Sequence, residues 1–304
     1  MMDYTDRHYR YLMRFITKCT QLYTEMITSA AILHGNTEKL LRFHPSERPL
    51  ALQLGGSEPK SLAAAARIGE AMGYNEMNLN VGCPSDRVQS GKFGACLLYE
   101  PERVAECIAE MQSAVRIPVT VKTRLGVDDH DSYEALHHFV SVCIQAGCRV
   151  FVFHARKAWL KGLNPKENRS IPPLQYEVVY RLKKDFPKIH VGINGGIQTL
   201  EAVHEHLKQV DEVMLGRIAV AQPLLFSDVD SLFYTTPDQH FSVEEILHQY
   251  LPYVSDEQKK GERLSILLKP LFGLKQGQVG ARQWRRIITE VIQDGNLSAI
   301  AKHA

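Results

Sequence analysis

Short apolar runs rich in β-branched residues alternate, over the first two thirds of the chain, with longer stretches whose apolar positions recur every three or four residues. The runs lie at 22–27, 50–54, 76–81, 118–123, 150–154, 190–194 and 212–215, and their length and composition predict strands. Helices are predicted between them over 57–72, where Pro59 falls in the first turn, and over 100–115, 132–146, 176–186 and 200–208. Near-continuous apolar strands alternating with helices imply a parallel sheet covered on its faces, either doubly wound and open or closed as a (β/α)8 TIM barrel. Gln53, Asn78, Asn80, Lys122, His154 and Asn194 lie at or near the C-terminal ends of successive runs. A barrel assembles its site there from several strands, whereas an open sheet gathers such groups at one switch point. The pattern favours the barrel.

Such a barrel needs eight strands and only seven runs are visible; the first is missing. Met1-Met2-Asp3-Tyr4 reads as the loop after a strand, followed by a helix over 7–19. The expectation is that the sequence begins late by roughly ten residues, about the length of a strand and its lead-in. After Phe233 the pattern changes. A polar linker, Thr235-Thr236-Pro237-Asp238, precedes Ser242 and Glu245 at capping-box spacing, and helices are predicted over 243–253, 263–272 and 281–293 with no strand between them. The expected organisation is therefore a barrel domain over 1–236 and an all-helical domain over 240–304.

The composition, 44% hydrophobic and 23% charged, excludes a collagen-like or disordered chain. No stretch approaches the roughly 18 to 20 consecutive apolar residues of a membrane-spanning helix. No basic leader with an apolar core and cleavage site opens the sequence, so a cytoplasmic location is the expectation. The net charge of +2 says nothing about polyanion binding, but residues 259–304 carry nine basic and three acidic side chains. Six cysteines without CxxC spacing suit reduced thiols better than disulfides or zinc. His204-Glu205-His206 and the adjacent His137 and His138 diverge on their helices and read as solvated surface, so no metal is expected.

Asn194-Gly195-Gly196 and Gly216-Arg217 close the last two strands, where this fold commonly binds phosphate. Glycine lets backbone N–H groups approach an anion, and Arg217 adds charge. Lys122 alternates with Val121 and Thr123 and projects into the barrel mouth, where an ammonium needs an acceptor or anion. A flavin ring offers such acceptors, and Gln53 and His154 complete an edge-on set of donors. No GxGxxG follows a strand, so a mononucleotide fits better than a Rossmann-type dinucleotide. Cys83 sits between Gly82 and Pro84 at the mouth, whereas the other thiols, Cys96 being the nearest competitor, have apolar or helical neighbours. The connection over 155–173 carries Arg156, Lys157, Lys161, Lys166 and Arg169 against Glu167. With Arg282, Trp284, Arg285 and Arg286 it suggests a basic surface for phosphates, with Trp or Tyr available for stacking.

The segments Asn78-Leu79-Asn80-Val81-Gly82-Cys83-Pro84-Ser85-Asp86-Arg87, His154-Ala155-Arg156-Lys157-Ala158-Trp159, Pro165-Lys166-Glu167-Asn168-Arg169, Asn194-Gly195-Gly196-Ile197 and Gly216-Arg217, with Thr5-Asp6-Arg7-His8 near the start, together resemble the tRNA-dihydrouridine synthases, specifically their A-type branch. The resemblance covers nearly the whole chain and departs only where a first strand and an Ala-Pro would precede Met1-Met2. It implies a flavoenzyme that reduces the C5–C6 double bond of uridine at positions 20 and 20a of the tRNA D-loop, with FMN as hydride carrier and NADPH or NADH as reductant. By the same resemblance Met1, Met2, Gln53, Lys122, His154, Asn194, Gly195, Gly196, Gly216 and Arg217 would hold FMN. Cys83 would donate the proton, and Asn80, Lys166, Arg169, Arg282 and Arg285 would contact tRNA. No membrane and no obligate protein partner is implied. Two other readings of the residues stay open: a flavin barrel acting on a small pyrimidine, like dihydroorotate dehydrogenase, and a tRNA-binding protein without redox activity.

Overall fold

The computed structural model describes residues 1–237 and 241–302. Asp238 of the expected linker, the expected domain start at residue 240, and residues 303–304 lie outside the described residues. The chain forms two compact units: Met1–Leu22, Phe43–Pro49 and Gly216–Ala304 make a helical unit, and Tyr23–Arg42 with Leu50–Leu215 make a sheet unit. The expected linker falls inside the first of these.

Among the described residues eight parallel strands are present: β1 (Leu22–Tyr23), β2 (Ile27–Thr28), β3 (Leu50–Gly55), β4 (Glu76–Val81), β5 (Val119–Arg124), β6 (Val150–His154), β7 (His190–Asn194) and β8 (Glu212–Met214). Their order is β1-β3-β4-β5-β6-β7-β8, with β2 also against β3. This is a curled parallel sheet of the TIM-barrel type, accompanied by a C-terminal helical region. Among the described residues β1 and β8 are its open edges. The strand expected over 22–27 is split into β1 and β2 because the side chain of Thr24 interrupts the ladder. Its hydroxyl accepts the Gln53 N–H at 3.0 Å in place of a backbone carbonyl.

Alternation along the strands separates two faces. Leu52 and Leu54, Met77 and Leu79, Val121, Phe151 and Phe153, and Val191 and Ile193 are fully buried and apolar. The opposite parity is polar: Gln53 is level with Asn78, Asn78 with Thr120, Asn80 with Lys122, Arg124 with His154, and His154 with Asn194. The helix Pro59–Met72 starts at the expected proline and ends at Gly73, whose φ of 93° permits the left-handed turn. It packs so closely that a Cβ on Gly69 would lie 2.6 Å from Met77 Cε. Two helices, Ser29–His34 and Thr37–Leu41, lie where none was expected.

In the helical unit, the helix expected over 7–19 stops at Met13. There Arg14 turns its guanidinium onto the carbonyls of Thr17, Glu47 and Pro49, which bends the chain out of helical register. The capping box of Ser242 and Glu245 is formed, and its helix runs through Pro252 to Lys259, beyond the expected end. The burial of Val254 and the ion pair of Glu257 with Arg7 at 2.6 Å outweigh the one backbone hydrogen bond that proline forfeits. The segment expected as one helix over 263–272 is instead a short turn, Leu264–Leu267, then a tighter 3-10 turn, Lys269–Gly273, with Pro270 in its first position pair.

Candidate functional site

At the C-terminal ends of β3 to β7 the polar face becomes a cluster of amides, cations and one thiol. Lys122 Nζ donates to Asn194 Oδ1 at 3.3 Å, and Asn194 Nδ2 donates to the Met214 carbonyl at 2.7 Å. Burial lowers Lys122 to about 8; the charge of Arg124 acts in the same direction, while Cys83 opposes both. Asn80 donates to Gln53 Oε1 at 2.8 Å, and Gln53 donates to Asn78 Oδ1 at 2.9 Å.

Gly195 and Gly196 follow β7 with φ of 121° and 71°, so two successive residues occupy a region that side chains disfavour. A Cβ on Gly195 would lie 2.8 Å from His154 Cδ2, and one on Gly196 would lie 2.6 Å from Leu174 Cδ1. Tyr176 OH donates to the Gly195 carbonyl at 2.6 Å and fixes the turn. The result is a concave, side-chain-free stretch of backbone beside His154.

Cys83 is half-buried on the loop that leaves β4. Its N–H and that of Gly82 both donate to Asn80 Oδ1, at 3.0 and 3.1 Å, and its carbonyl accepts the Ala95 N–H at 2.9 Å. Its Sγ lies 3.6 Å from Ser85 Oγ. Gly94, with φ of 68°, makes room: a Cβ there would lie 2.6 Å from the Cys83 carbonyl oxygen. Cys107, Cys143 and Cys148 are buried, and burial also raises the Cys96 thiol above its ordinary value.

The long connection over 155–173 is ordered by one side chain. Asn168 is fully buried, accepts the Trp159 N–H at 2.8 Å, and donates to the carbonyls of Trp159 at 2.8 Å and Leu163 at 3.0 Å. Gln89 ties this connection to the cysteine loop by donating to the carbonyls of Pro84 and Leu160. Arg124 does so more directly, donating to the carbonyls of Gly82 at 2.9 Å, Lys157 at 2.9 Å and Asn168 at 3.0 Å. Sequence reasoning missed Arg124, although its position two residues after Lys122 puts it on the same face. Lys166 is exposed and Arg169 half-buried at the turn Glu167–Arg169. Lys157 is held by Asp131 at 2.7 Å and sits 4.2 Å from the centre of the Trp159 ring.

The sheet unit thus gathers Gln53, Asn80, Cys83, Lys122, His154, Lys166, Arg169, Asn194, Gly195 and Gly196. The remaining expected residues, Met1, Met2, Gly216, Arg217, Arg282 and Arg285, belong to the helical unit. Met2 is exposed, and the Met1 carbonyl accepts the N–H groups of Tyr4 and Thr5. Gly216 precedes the helix Arg217–Ala221, whose first residue is exposed. Arg282, Arg285 and Arg286 line the outer face of the helix Ala281–Asp294. Two expectations are corrected. Trp284 cannot stack on a base, because it is 2% exposed and its indole N–H donates to the Leu271 carbonyl at 2.8 Å. His206 is not solvated surface: it is buried, with Nδ1 2.7 Å from Tyr180 OH.

A curled parallel sheet of the TIM-barrel type thus carries a half-buried ammonium, a glycine turn and a loop-borne thiol at its strand ends. Among solved structures the chain is similar to a 2-naphthoyl-CoA reductase (TM-score 0.54, 11% identity, covering 76% of this chain and 47% of that one). It is also similar to a histamine dehydrogenase from Rhizobium sp. 4-9 (TM-score 0.52, 13% identity, covering 75% and 44%). These likenesses concern the fold alone. The family description "Dihydrouridine synthase (Dus)" matches residues 1–303. The chain belongs to the dihydrouridine synthase family, flavin-dependent oxidoreductases that reduce uridine to dihydrouridine in tRNA. It is 56% identical to the tRNA-dihydrouridine(20/20a) synthase of Synechocystis sp., over 95% of this chain and 87% of that protein. With the proteins of the same name from Shewanella oneidensis and Vibrio cholerae the identities are 51% and 50%, again over 95% of this chain, and over 86% and 89% of theirs. Among the described residues no helix is long and apolar enough to cross a membrane.

Proposed function

We propose that this chain reduces the C5–C6 double bond of uridine at positions 20 and 20a of the tRNA D-loop, with FMN as its flavin, NADPH or NADH as reductant, and Cys83 as proton donor. The names of the relatives favour tRNA over a free pyrimidine. The donor set suits FMN: a half-buried ammonium facing an amide, a second amide on β3, an imidazole, and a glycine turn that any side chain would fill. Lys122, Gln53, His154, Met1 and Met2 would hold the flavin, with Asn194, Gly195, Gly196, Gly216 and Arg217 suited to its phosphate. When bound and reduced, FMN supplies the hydride that C6 receives.

The remaining chemistry is the chain's own. Uracil must leave the folded D-loop to expose its faces. As C6 gains a hydride, negative charge develops toward C5, and the Cys83 thiol neutralises it by giving its proton to C5. A C–H bond forms as the S–H bond breaks, and the thiolate recovers a proton from solvent. Cys83 is therefore a general acid and not a nucleophile. Asn80, Lys166, Arg169, Arg282 and Arg285 contact the RNA. Residues 1–236 serve as the catalytic domain, residues 240–304 as a tRNA-binding domain, and the reaction takes place in the cytoplasm.

The observation that carries the reading is the anchoring of Cys83: its own N–H and that of Gly82 are held by Asn80, and the Gly82 carbonyl by Arg124, at the strand ends that bear Lys122. Cys83→Ala is expected to keep bound flavin and its reduction by NADPH, yet to lose dihydrouridine formation by a factor on the order of 10² to 10⁴. Mass spectrometry of the tRNA product makes the check, and near-normal product from this variant refutes the assignment.

A further inference from the structure

Five side chains on β3, β4 and β5 form one directed run of hydrogen bonds beneath the cysteine loop. Asn80 Oδ1 accepts from the N–H groups of Gly82 and Cys83. Asn80 Nδ2 donates to Gln53 Oε1 at 2.8 Å, Gln53 Nε2 to Asn78 Oδ1 at 2.9 Å, and Asn78 Nδ2 to Thr120 Oγ1 at 2.8 Å. The Thr120 hydroxyl in turn donates to Glu76 Oε1 at 2.6 Å, an oxygen that Tyr23 OH also meets at 3.3 Å.

The direction of this run is forced from its upper end. A backbone N–H can only donate, so Asn80 must turn its oxygen to the loop and its nitrogen to Gln53. The same logic passes through Gln53 and Asn78, and leaves the Thr120 hydroxyl with an occupied oxygen and a proton to place. Glu76 receives it. Asn78 and Thr120 have no exposed surface, so water cannot substitute for a missing partner there. Gln53 flipped the wrong way would set donor against donor toward Asn80 and acceptor against acceptor toward Asn78. With both lone pairs of its oxygen engaged, Asn80 retains one Nδ2–H as its outward function. It can therefore greet only a hydrogen-bond acceptor such as a uracil carbonyl, never an amino group.

We propose that Thr120 and Glu76, toward the opposite end of the strands from the thiol, are positioning residues: through Asn78, Gln53 and Asn80 they hold the Cys83 backbone and fix the atom that Asn80 presents to the substrate. The inference rests on Cys83 being the proton donor.

The test compares Thr120→Val, which keeps the shape but cannot take part in the run, with Thr120→Ser, which can. Two quantities are read. The first is the rate of Cys83 alkylation by iodoacetamide in flavin-free protein, resolved by peptide mass spectrometry. The second is the single-turnover reoxidation of reduced flavin at saturating tRNA. Thr120→Val is expected to speed alkylation at least threefold and slow reoxidation about tenfold, with reduction by NADPH within twofold of the parent; Thr120→Ser restores both. Equal behaviour of the two variants, or a Thr120→Val protein indistinguishable from the parent, overturns the inference. Should Thr120→Val not fold, Glu76→Gln and Glu76→Ala make the same comparison at a half-buried strand end. Gln retains an oxygen acceptor and keeps both readings within about threefold, Ala does not, and equal readings again overturn the idea. Cys83→Ala separates the two levels: if it turns over tRNA normally, the proposed function fails and this inference with it. If it is inactive, the Thr120 pair judges this inference alone.

Discussion

Arg10 meets Glu47 at 2.7 Å in the helical unit, with both side chains almost wholly buried, while Arg14 delivers its guanidinium to backbone carbonyls that close the first helix. In the sheet unit Lys122 is half-buried, faces an amide oxygen at 3.3 Å and forms no salt bridge among the described residues. The first unit matches each buried cation to a full acceptor. The second leaves a cation under-satisfied where a ligand is expected. Arg124 in the same sheet unit has three backbone acceptors and follows the pattern of Arg14, so Lys122 is set apart by the pairing around it and not by the unit it belongs to.

Three variant proteins bear on that difference, beginning with the largest effect. Glu47→Ala strands the Arg10 guanidinium in the interior, because it removes the carboxylate 2.7 Å away while Arg10 stays buried. Urea denaturation is expected to show a loss of about 3–5 kcal/mol, with flavin content per folded molecule preserved. A loss below about 1 kcal/mol would place the pair with surface ion pairs and erase the contrast.

Lys122→Met is expected to act on binding instead. Removing a charged donor from this partly buried contact costs about 1.5–3 kcal/mol, or roughly 10- to 100-fold in flavin affinity. The pH dependence sharpens the point. The ammonium is present below its value of about 8 and disappears above it. Flavin affinity of the parent should therefore be flat on the acid side and fall as pH rises through about 8, while Lys122→Met shows no such fall. Stability without ligand moves the opposite way. A lysine depressed in the folded state binds fewer protons than in the unfolded chain between about 8 and its ordinary value, so the protein gains stability as pH rises through that window. Titration of FMN followed by fluorescence, with parallel denaturation, separates the two trends.

The smallest effect is expected at the exposed face of Ala281–Asp294. Arg282→Ala with Arg285→Ala should lower the slope of log affinity for tRNA against log salt by about one per arginine. The reoxidation rate at saturating tRNA stays unchanged. A change in that rate would mean that these arginines do more than attract phosphate.

The strands were legible because a buried parallel sheet writes itself as apolar runs, and β4, β6 and β7 begin and end where the residues predict. Period two likewise put Lys122, His154 and Asn194 on one face. The run from Asn80 to Glu76 was not legible, because it depends on register between strands: Gln53 meets Asn78 only because those residues are level. Thr24 breaking the first strand has the same origin, a hydroxyl replacing a carbonyl on a neighbouring chain segment. The early end of the first helix depends on where Arg14 finds carbonyls more than thirty residues away, which local periodicity cannot express. Trp284 illustrates the remaining gap. Its helix spacing marks one face, but whether that face is inner or outer is decided by Leu271, on another segment.

Asn168 has a kinetic consequence. Its three short contacts close the segment between Trp159 and Asn168 into a finished shape before any nucleic acid arrives. If Lys166 and Arg169 contact RNA as proposed, the RNA meets a template rather than a floppy strand, and docking there involves no disorder-to-order transition. Amide hydrogens there should exchange slowly in the free protein and change little in the complex, and association should be governed by diffusion and electrostatic attraction rather than by loop rearrangement.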